Sequence, residues 1–145
     1  EFWMKEEGAD GQVVIDDYAH HPMELKRSIE SVKALYPGRE LTVAFQPHLY
    51  SRTRDFAPEF AEALSLADNV VLLDIYPARE EPIPGVTSEI IFKDITSPRK
   101  QLIKKSQLVS VIGEQHPSLL LTAGAGDICN YLPEIVETLA SKTQC

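Results

Sequence analysis

The sequence predicts an α/β domain: a Rossmann-like, mainly parallel sheet with helices on both faces and one antiparallel edge strand from an N-terminal hairpin. Three observations predict it. Short apolar runs alternate with segments of helical periodicity along the whole chain. Runs such as Val13-Val14-Ile15 and Asn69 to Asp74 have the character of strands buried on both faces. No internal repeat, charge block or low-complexity stretch interrupts the alternation, so the 145 residues form one domain.

Phe2 to Glu6 and Gln12 to Asp16 read as the two strands of the hairpin, and Gly8-Ala9-Asp10-Gly11 supplies its turn. Pro22 opens a helix to about Tyr36, where its missing amide costs no hydrogen bond; Leu25, Ile29, Val32 and Leu35 form its apolar stripe. Pro37-Gly38 ends it, and Leu41 to Phe45 is the next strand. A helix from about Arg54 to Ala67 puts Phe56, Phe60, Ala63 and Leu64 on one face. The strand Asn69 to Asp74 leads into a loop, Tyr76 to Val86, holding Pro77, Pro82 and Pro84. Thr87 or Ser88 caps a helix through Ile95. A short strand at Gln101 to Ile103, a short helix at Gln107 to Gly113, a strand at Leu119 to Thr122 and a helix at Asp127 to Leu139 complete the pattern.

Composition narrows the function. Hydrophobic residues make up 43% and charged ones 25%, ordinary for a globular protein. A net charge of −8 argues against broad nucleic-acid binding, which needs a basic surface to release counterions. The two cysteines, Cys129 and Cys145, are too few for a disulfide framework and point to a reducing cytoplasm. No apolar run approaches membrane-spanning length, so no membrane partner is expected. The chain opens without an initiating Met, on residues that already read as a strand, which points to a piece of a longer polypeptide.

The chemistry-bearing residues gather after the strands, where open α/β sheets bind their ligands. Asp16 to Pro22 follows one strand, Gln46 to Arg54 the next, Asp74 to Glu81 the third, and Ala123 to Asp127 the last. His20, His21 and His48 lie in these segments with Arg52, Arg54 and Arg79, so one shared polar rim is expected. Asp17 is equally suited to capping the helix at Pro22. Adjacent histidines project apart, and no cysteine or His-x-x-x-His spacing supports them, so no metal site is expected. Cations at a helix start oppose the macrodipole, so Arg52 and Arg54 call for a compensating anion. The glycines of Gly124-Ala125-Gly126 suit a tight turn with amides exposed to an anion. Ser51 lies near His48 but outside any G-x-S-x-G elbow, which disfavours a hydrolase. No phosphate loop of the G-x-x-x-x-G-K-[ST] type exists, so the chain does not hold a nucleoside triphosphate in that manner.

Four segments in order, Asp16–Pro22, Phe45–Thr53, Asp74–Pro82 and Gly124–Ile128, together resemble the carboxy-terminal domain of the Mur ligase family. The resemblance covers essentially the whole chain and is nearest to the branch that adds L-alanine to UDP-N-acetylmuramate. It implies that residues 1–145 are the third domain of a bacterial, cytoplasmic three-domain enzyme of peptidoglycan precursor synthesis, with the UDP-sugar and phosphate-loop domains outside this chain. It implies ATP and Mg²⁺, bound mainly by the central domain, and an acyl phosphate that the amine of L-alanine attacks. It also implies residue roles: Asp17 on the nucleotide, with Tyr18, His20, His48 and Arg52 lining the amino-acid pocket. Arg52 would take the carboxylate, and His20 or His48 a proton. Many members resemble each other in an arginine where this chain has Leu49, which leaves Arg54 or Arg79 to compensate. Two alternatives stand beside this: a sister ligase that joins a peptide to the same UDP-sugar, and a non-catalytic nucleotide-binding or docking domain.

Overall fold

The computed structural model describes residues 1–6 and 11–142. Six strands form one sheet: β1 (Phe2–Lys5), β2 (Val13–Asp17), β3 (Thr42–Phe45), β4 (Asn69–Leu73), β5 (Arg99–Ile103) and β6 (Leu119–Ala123). Their spatial order is β1-β2-β6-β3-β4-β5. All neighbours are parallel except β1 and β2, which pair antiparallel with Phe2 opposite Ile15 and Met4 opposite Val14. The expected edge strand is therefore present. Residues 7–10 of the expected turn lie outside the described residues.

Strand alternation divides the interior in two, because successive side chains point to opposite faces. Val43, Phe45, Val70 and Leu72 pack on one side with Leu25, Ile29 and Phe60. Ala44, Val71 and Leu73 pack on the other with Leu108, Ile112, Ile135 and Leu139. Accordingly, α1 (Pro22–Leu35), α2 (Tyr50–Leu64) and α3 (Glu89–Phe92) cover the first face, and α4 (Leu108–Gln115) and α5 (Leu132–Lys142) the second. The central strands read as unbroken apolar runs because both faces are buried. No helix among the described residues is long and apolar enough to cross a membrane.

Four helices differ from expectation; of these, α3 ends at Phe92, short of the expected Ile95, and the Ser88 hydroxyl donates to Leu73 O at 2.6 Å. Helix α2 begins at Tyr50, four residues before the predicted Arg54, and is kinked at Phe56 (φ −124°, ψ 18°). Pro58 lacks an amide and crowds the preceding turn, which accounts for the kink. Phe56, expected on the apolar face, is turned outward and 40% exposed. In α1, Leu25, Ile29 and Val32 are buried as expected, but Leu35 is exposed and Tyr36 packs on the core in its place. The last helix is divided into a 3₁₀ turn, Ile128–Tyr131, and α5 from Leu132, since Pro133 cannot donate the bond that would join them.

Candidate functional site

The segments after β2, β3, β4 and β6 meet at one end of the sheet. Their junction is a backbone clasp: Tyr76 N donates to Pro47 O at 2.8 Å, and Leu49 N donates to Tyr76 O at 2.8 Å. The clasp sets the His48 ring against the Tyr76 ring, centroids 5.7 Å apart and planes 12° from parallel. His20 reaches the same place from β2, its ring 6.2 Å from His48 and 5.7 Å from Tyr18. Arg52, in the first turn of α2, places Nη1 3.0 Å from Nδ1 of His48. Tyr18, His20, His48 and Arg52, far apart in sequence, therefore share one rim.

The hydrogen-bond partners fix the two imidazoles. A guanidinium only donates, so Nδ1 of His48 is an acceptor and the neutral ring carries its proton on Nε2. Burial, reinforced by the Arg52 charge and by His20, holds His48 below the ordinary histidine range, which keeps it neutral. His20 is the opposite case. Its Nδ1 lies 3.0 Å from the Tyr18 carbonyl, which only accepts, so Nδ1 carries the proton and Nε2 keeps its lone pair. Of the two, His20 alone has a ring nitrogen left to take a proton.

Asp17 does not cap α1. Glu24 reaches back to the amides of His20 and His21, at 3.2 and 3.1 Å. Asp17 instead accepts from Ala19 N at 2.9 Å and Ser28 Oγ at 2.5 Å, one donor on each oxygen. An ionised carboxylate has roughly four lone-pair sites, so acceptor capacity remains for a ligand.

A carboxylate of the protein itself sits at the start of α2. Glu80, from the loop after β4, accepts from Ser51 N at 3.1 Å and Ser51 Oγ at 2.5 Å, at the first turn of α2. The negative charge sits where the helix dipole favours it, and the bonds from Ser51 hold the Glu80 carboxyl below the usual range. They also occupy the Ser51 hydroxyl, which is bonded to Glu80 while His48 is bonded to Arg52; no Ser–His dyad exists here. Because the folded-state pKa is depressed, this stabilisation is complete above the ordinary value of 4.5 and is lost as pH falls through the lowered one. Glu80→Gln is therefore expected to flatten the stability loss on the acid side. Urea midpoints taken at pH 7 and at pH 3.5 check this; an unchanged slope would refute the assignment.

Leu49, between His48 and α2, holds φ 76° and ψ 136°, a conformation that costs a non-glycine residue about 1–3 kcal/mol. The clasp to Tyr76 and the bond from Thr53 Oγ1 to Leu49 O at 2.9 Å keep it there. Of the two arginines offered as compensation at Leu49, Arg54 is paired with Asp55 at 2.9 Å, and Arg79 has no partner among the described residues.

In the turn after β6, two of the amides are taken by the protein itself. Gly124 N donates to Asp17 O at 3.2 Å, and Ile128 N donates to Gln46 Oε1 at 3.0 Å. Gln46, buried at 2% exposure, also gives Nε2 to Asp127 Oδ1 at 2.7 Å, and Lys105 pairs with the other Asp127 oxygen at 2.7 Å. Burial raises the Asp127 pKa, but the bonds from Lys105 and Gln46 outweigh it and leave the carboxyl low. Both glycines answer to packing. A Cβ on Gly124, at φ +145°, would lie 2.8 Å from Gln46 O, and one on Gly126 would lie 2.6 Å from both Gln46 Oε1 and the Tyr76 ring. Gly126→Ala is expected to destabilise the chain by about 1–3 kcal/mol through overpacking. Urea unfolding measures it, and a wild-type midpoint would contradict the contact.

Tyr76, Glu80 and Gln46 are the site residues that sequence reasoning passed over. Each lies in a segment singled out beforehand, but its partner is remote in sequence, so only composition pointed to it.

A family model for the Mur ligase, glutamate ligase domain matches residues 3–129. The chain belongs to the Mur ligase family. Among its relatives, the UDP-N-acetylmuramate–L-alanine ligase of Parabacteroides distasonis is 56% identical over 133 residues, covering 92% of this chain and 29% of that protein. The protein of the same description from Phocaeicola vulgatus is 52% identical over 134 residues, with the same coverages of 92% and 29%. The crystal structure of UDP-N-acetylmuramate–alanine ligase from Thermotoga maritima matches with a TM-score of 0.73 at 27% identity, over 94% of this chain and 29% of that one. The chain thus spans 29% of the length of these Mur ligases.

Proposed function

We propose that residues 1–145 are the carboxy-terminal domain of an ATP-dependent ligase that joins L-alanine to UDP-N-acetylmuramate in bacterial peptidoglycan precursor synthesis. The observation that carries this reading is the convergence of His20, His48 and Arg52 on one rim, in a chain 56% identical to a ligase of that name. The stretch Gln46–Thr53 favours the L-alanine branch over the sister ligase that joins a peptide.

On this reading the other two domains of the polypeptide supply the UDP-sugar site and the phosphate loop, in the cytoplasm. ATP and Mg²⁺ bind mainly there, and ATP gives its terminal phosphoryl group to the sugar carboxylate, forming an acyl phosphate and ADP. The open lone pairs of Asp17 accept hydrogen bonds from nucleotide hydroxyls, most simply those of the ribose. Arg52 faces the carboxylate of the incoming amino acid, a natural partner for a guanidinium. Tyr18 and the two histidines line the pocket around it. His20 Nε2 takes a proton from the substrate ammonium, and the freed amine nitrogen attacks the acyl carbon. As the carbon–oxygen bond to phosphate breaks, the nitrogen gives up its second proton to the departing phosphate, leaving the amide and inorganic phosphate. His48, its Nδ1 lone pair held by Arg52, orients and does not exchange protons.

The test is an amino-acid panel with the full-length enzyme, measuring phosphate release dependent on ATP and UDP-N-acetylmuramate. Release with L-alanine supports the proposal, and none with any amino acid would refute it. The chain by itself, lacking a phosphate loop, is expected to release none.

A further inference from the structure

Beyond the rim lies a cavity of about 540 Å³, lined by Tyr76, Gln46, Tyr50, Val86, Lys104 and Lys105 among others. It opens at the carboxyl ends of β3, β4 and β5, and its volume falls within the range of about 300–1,000 Å³ typical of small-molecule sites. Tyr76 belongs to both places: it lines this cavity, and its ring is stacked on His48. That shared position makes Tyr76 the candidate partition between them.

The partition is held firmly. Its backbone is clasped on both sides, through Tyr76 N to Pro47 O and Leu49 N to Tyr76 O, each 2.8 Å. The ring has no freedom to move onto the β6 turn, where the space for a Cβ on Gly126 is already within 2.6 Å of its Cγ. On the amino-acid site proposed above, a side chain growing past His48 towards this cavity has Tyr76 in its path.

We propose that Tyr76 determines specificity by size, confining the incoming amino acid to a small side chain. The inference rests on the amino-acid site proposed above and adds what limits its substrates. In a packed pocket one methylene changes discrimination by about 10- to 200-fold. Truncating the ring to a methyl group joins the two spaces and makes room for a branched chain such as that of leucine.

The experiment compares kcat/KM for L-leucine and for L-alanine in the full-length enzyme, by phosphate release with UDP-N-acetylmuramate, for wild type, Tyr76→Phe, Tyr76→Ala and the milder Tyr76→Leu. The leucine-to-alanine ratio is expected to rise about ten-fold or more in Tyr76→Ala or Tyr76→Leu and to stay at the wild-type value in Tyr76→Phe, which keeps the ring. An active Tyr76→Ala or Tyr76→Leu enzyme with the wild-type ratio overturns the proposal. So does an equal rise in Tyr76→Phe, which would trace selection to the hydroxyl. Inactivity of both truncations towards every amino acid, at an unchanged melting temperature, overturns it as well, because Tyr76 would then serve the chemistry. A wild-type enzyme that releases no phosphate with L-alanine defeats the ligase reading itself, a result distinct from all of these.

Discussion

Replacing His20 by alanine in the full-length enzyme is expected to lower kcat for L-alanine addition by about 10²- to 10⁴-fold, the usual contribution of a positioned general base. The expectation comes from hydrogen-bond bookkeeping at two neighbouring rings. The Tyr18 carbonyl holds the His20 proton on Nδ1 and leaves Nε2 open, whereas Arg52 occupies Nδ1 of His48. His20→Gln separates proton transfer from positioning, because its amide still donates to Tyr18 but takes no proton at neutral pH. Both variants should leave the KM for ATP little changed. A His20→Gln enzyme retaining kcat to within about ten-fold of wild type, well short of a base's usual contribution, would remove His20 from the proton pathway.

Arg52→Ala should act on the other parameter. Losing a charge-assisted contact of about 1.5–3 kcal/mol raises the KM for L-alanine by roughly 10- to 150-fold. Arg52→Lys should recover little of it. The lysine ammonium is a point charge, and the planar fork that meets His48 Nδ1 and a carboxylate together is gone. Amino-acid titrations of phosphate release provide the measurement. An alanine variant with the wild-type KM would show that the substrate carboxylate lies elsewhere, with Arg79 the next cation to examine.

These two residues illustrate what local sequence carries and what it does not. The apolar runs at Val13–Ile15, Leu41–Phe45 and Asn69–Leu73 predicted their strands, because burial on both faces leaves a continuous hydrophobic signature. The start of α2 was misread by four residues, since its anionic cap is Glu80, 29 positions from Ser51. The first turn, Tyr50 to Thr53, offers no acidic residue of its own. Phe56 was read as core because periodicity assumes a straight helix, and Pro58 breaks that assumption. For the glycines at 124 and 126, residue type showed the tight turn but not the neighbours that require it. A glycine signals that something comes close, and here Gln46 and the Tyr76 ring do so.

The sequence by itself determined the fold class, the antiparallel edge strand and the four ligand-end segments with their acids, histidines and arginines. All are encoded in periodicity and in residue type at strand ends, which are local properties. Only the tertiary structure decided which imidazole keeps a free nitrogen, which carboxylate bonds the first turn of α2, and which ring stacks on His48. Each depends on a hydrogen bond or a stacking contact between segments far apart in the chain, and such contacts exist only once the parallel sheet has brought the ends of β2, β3, β4 and β6 together.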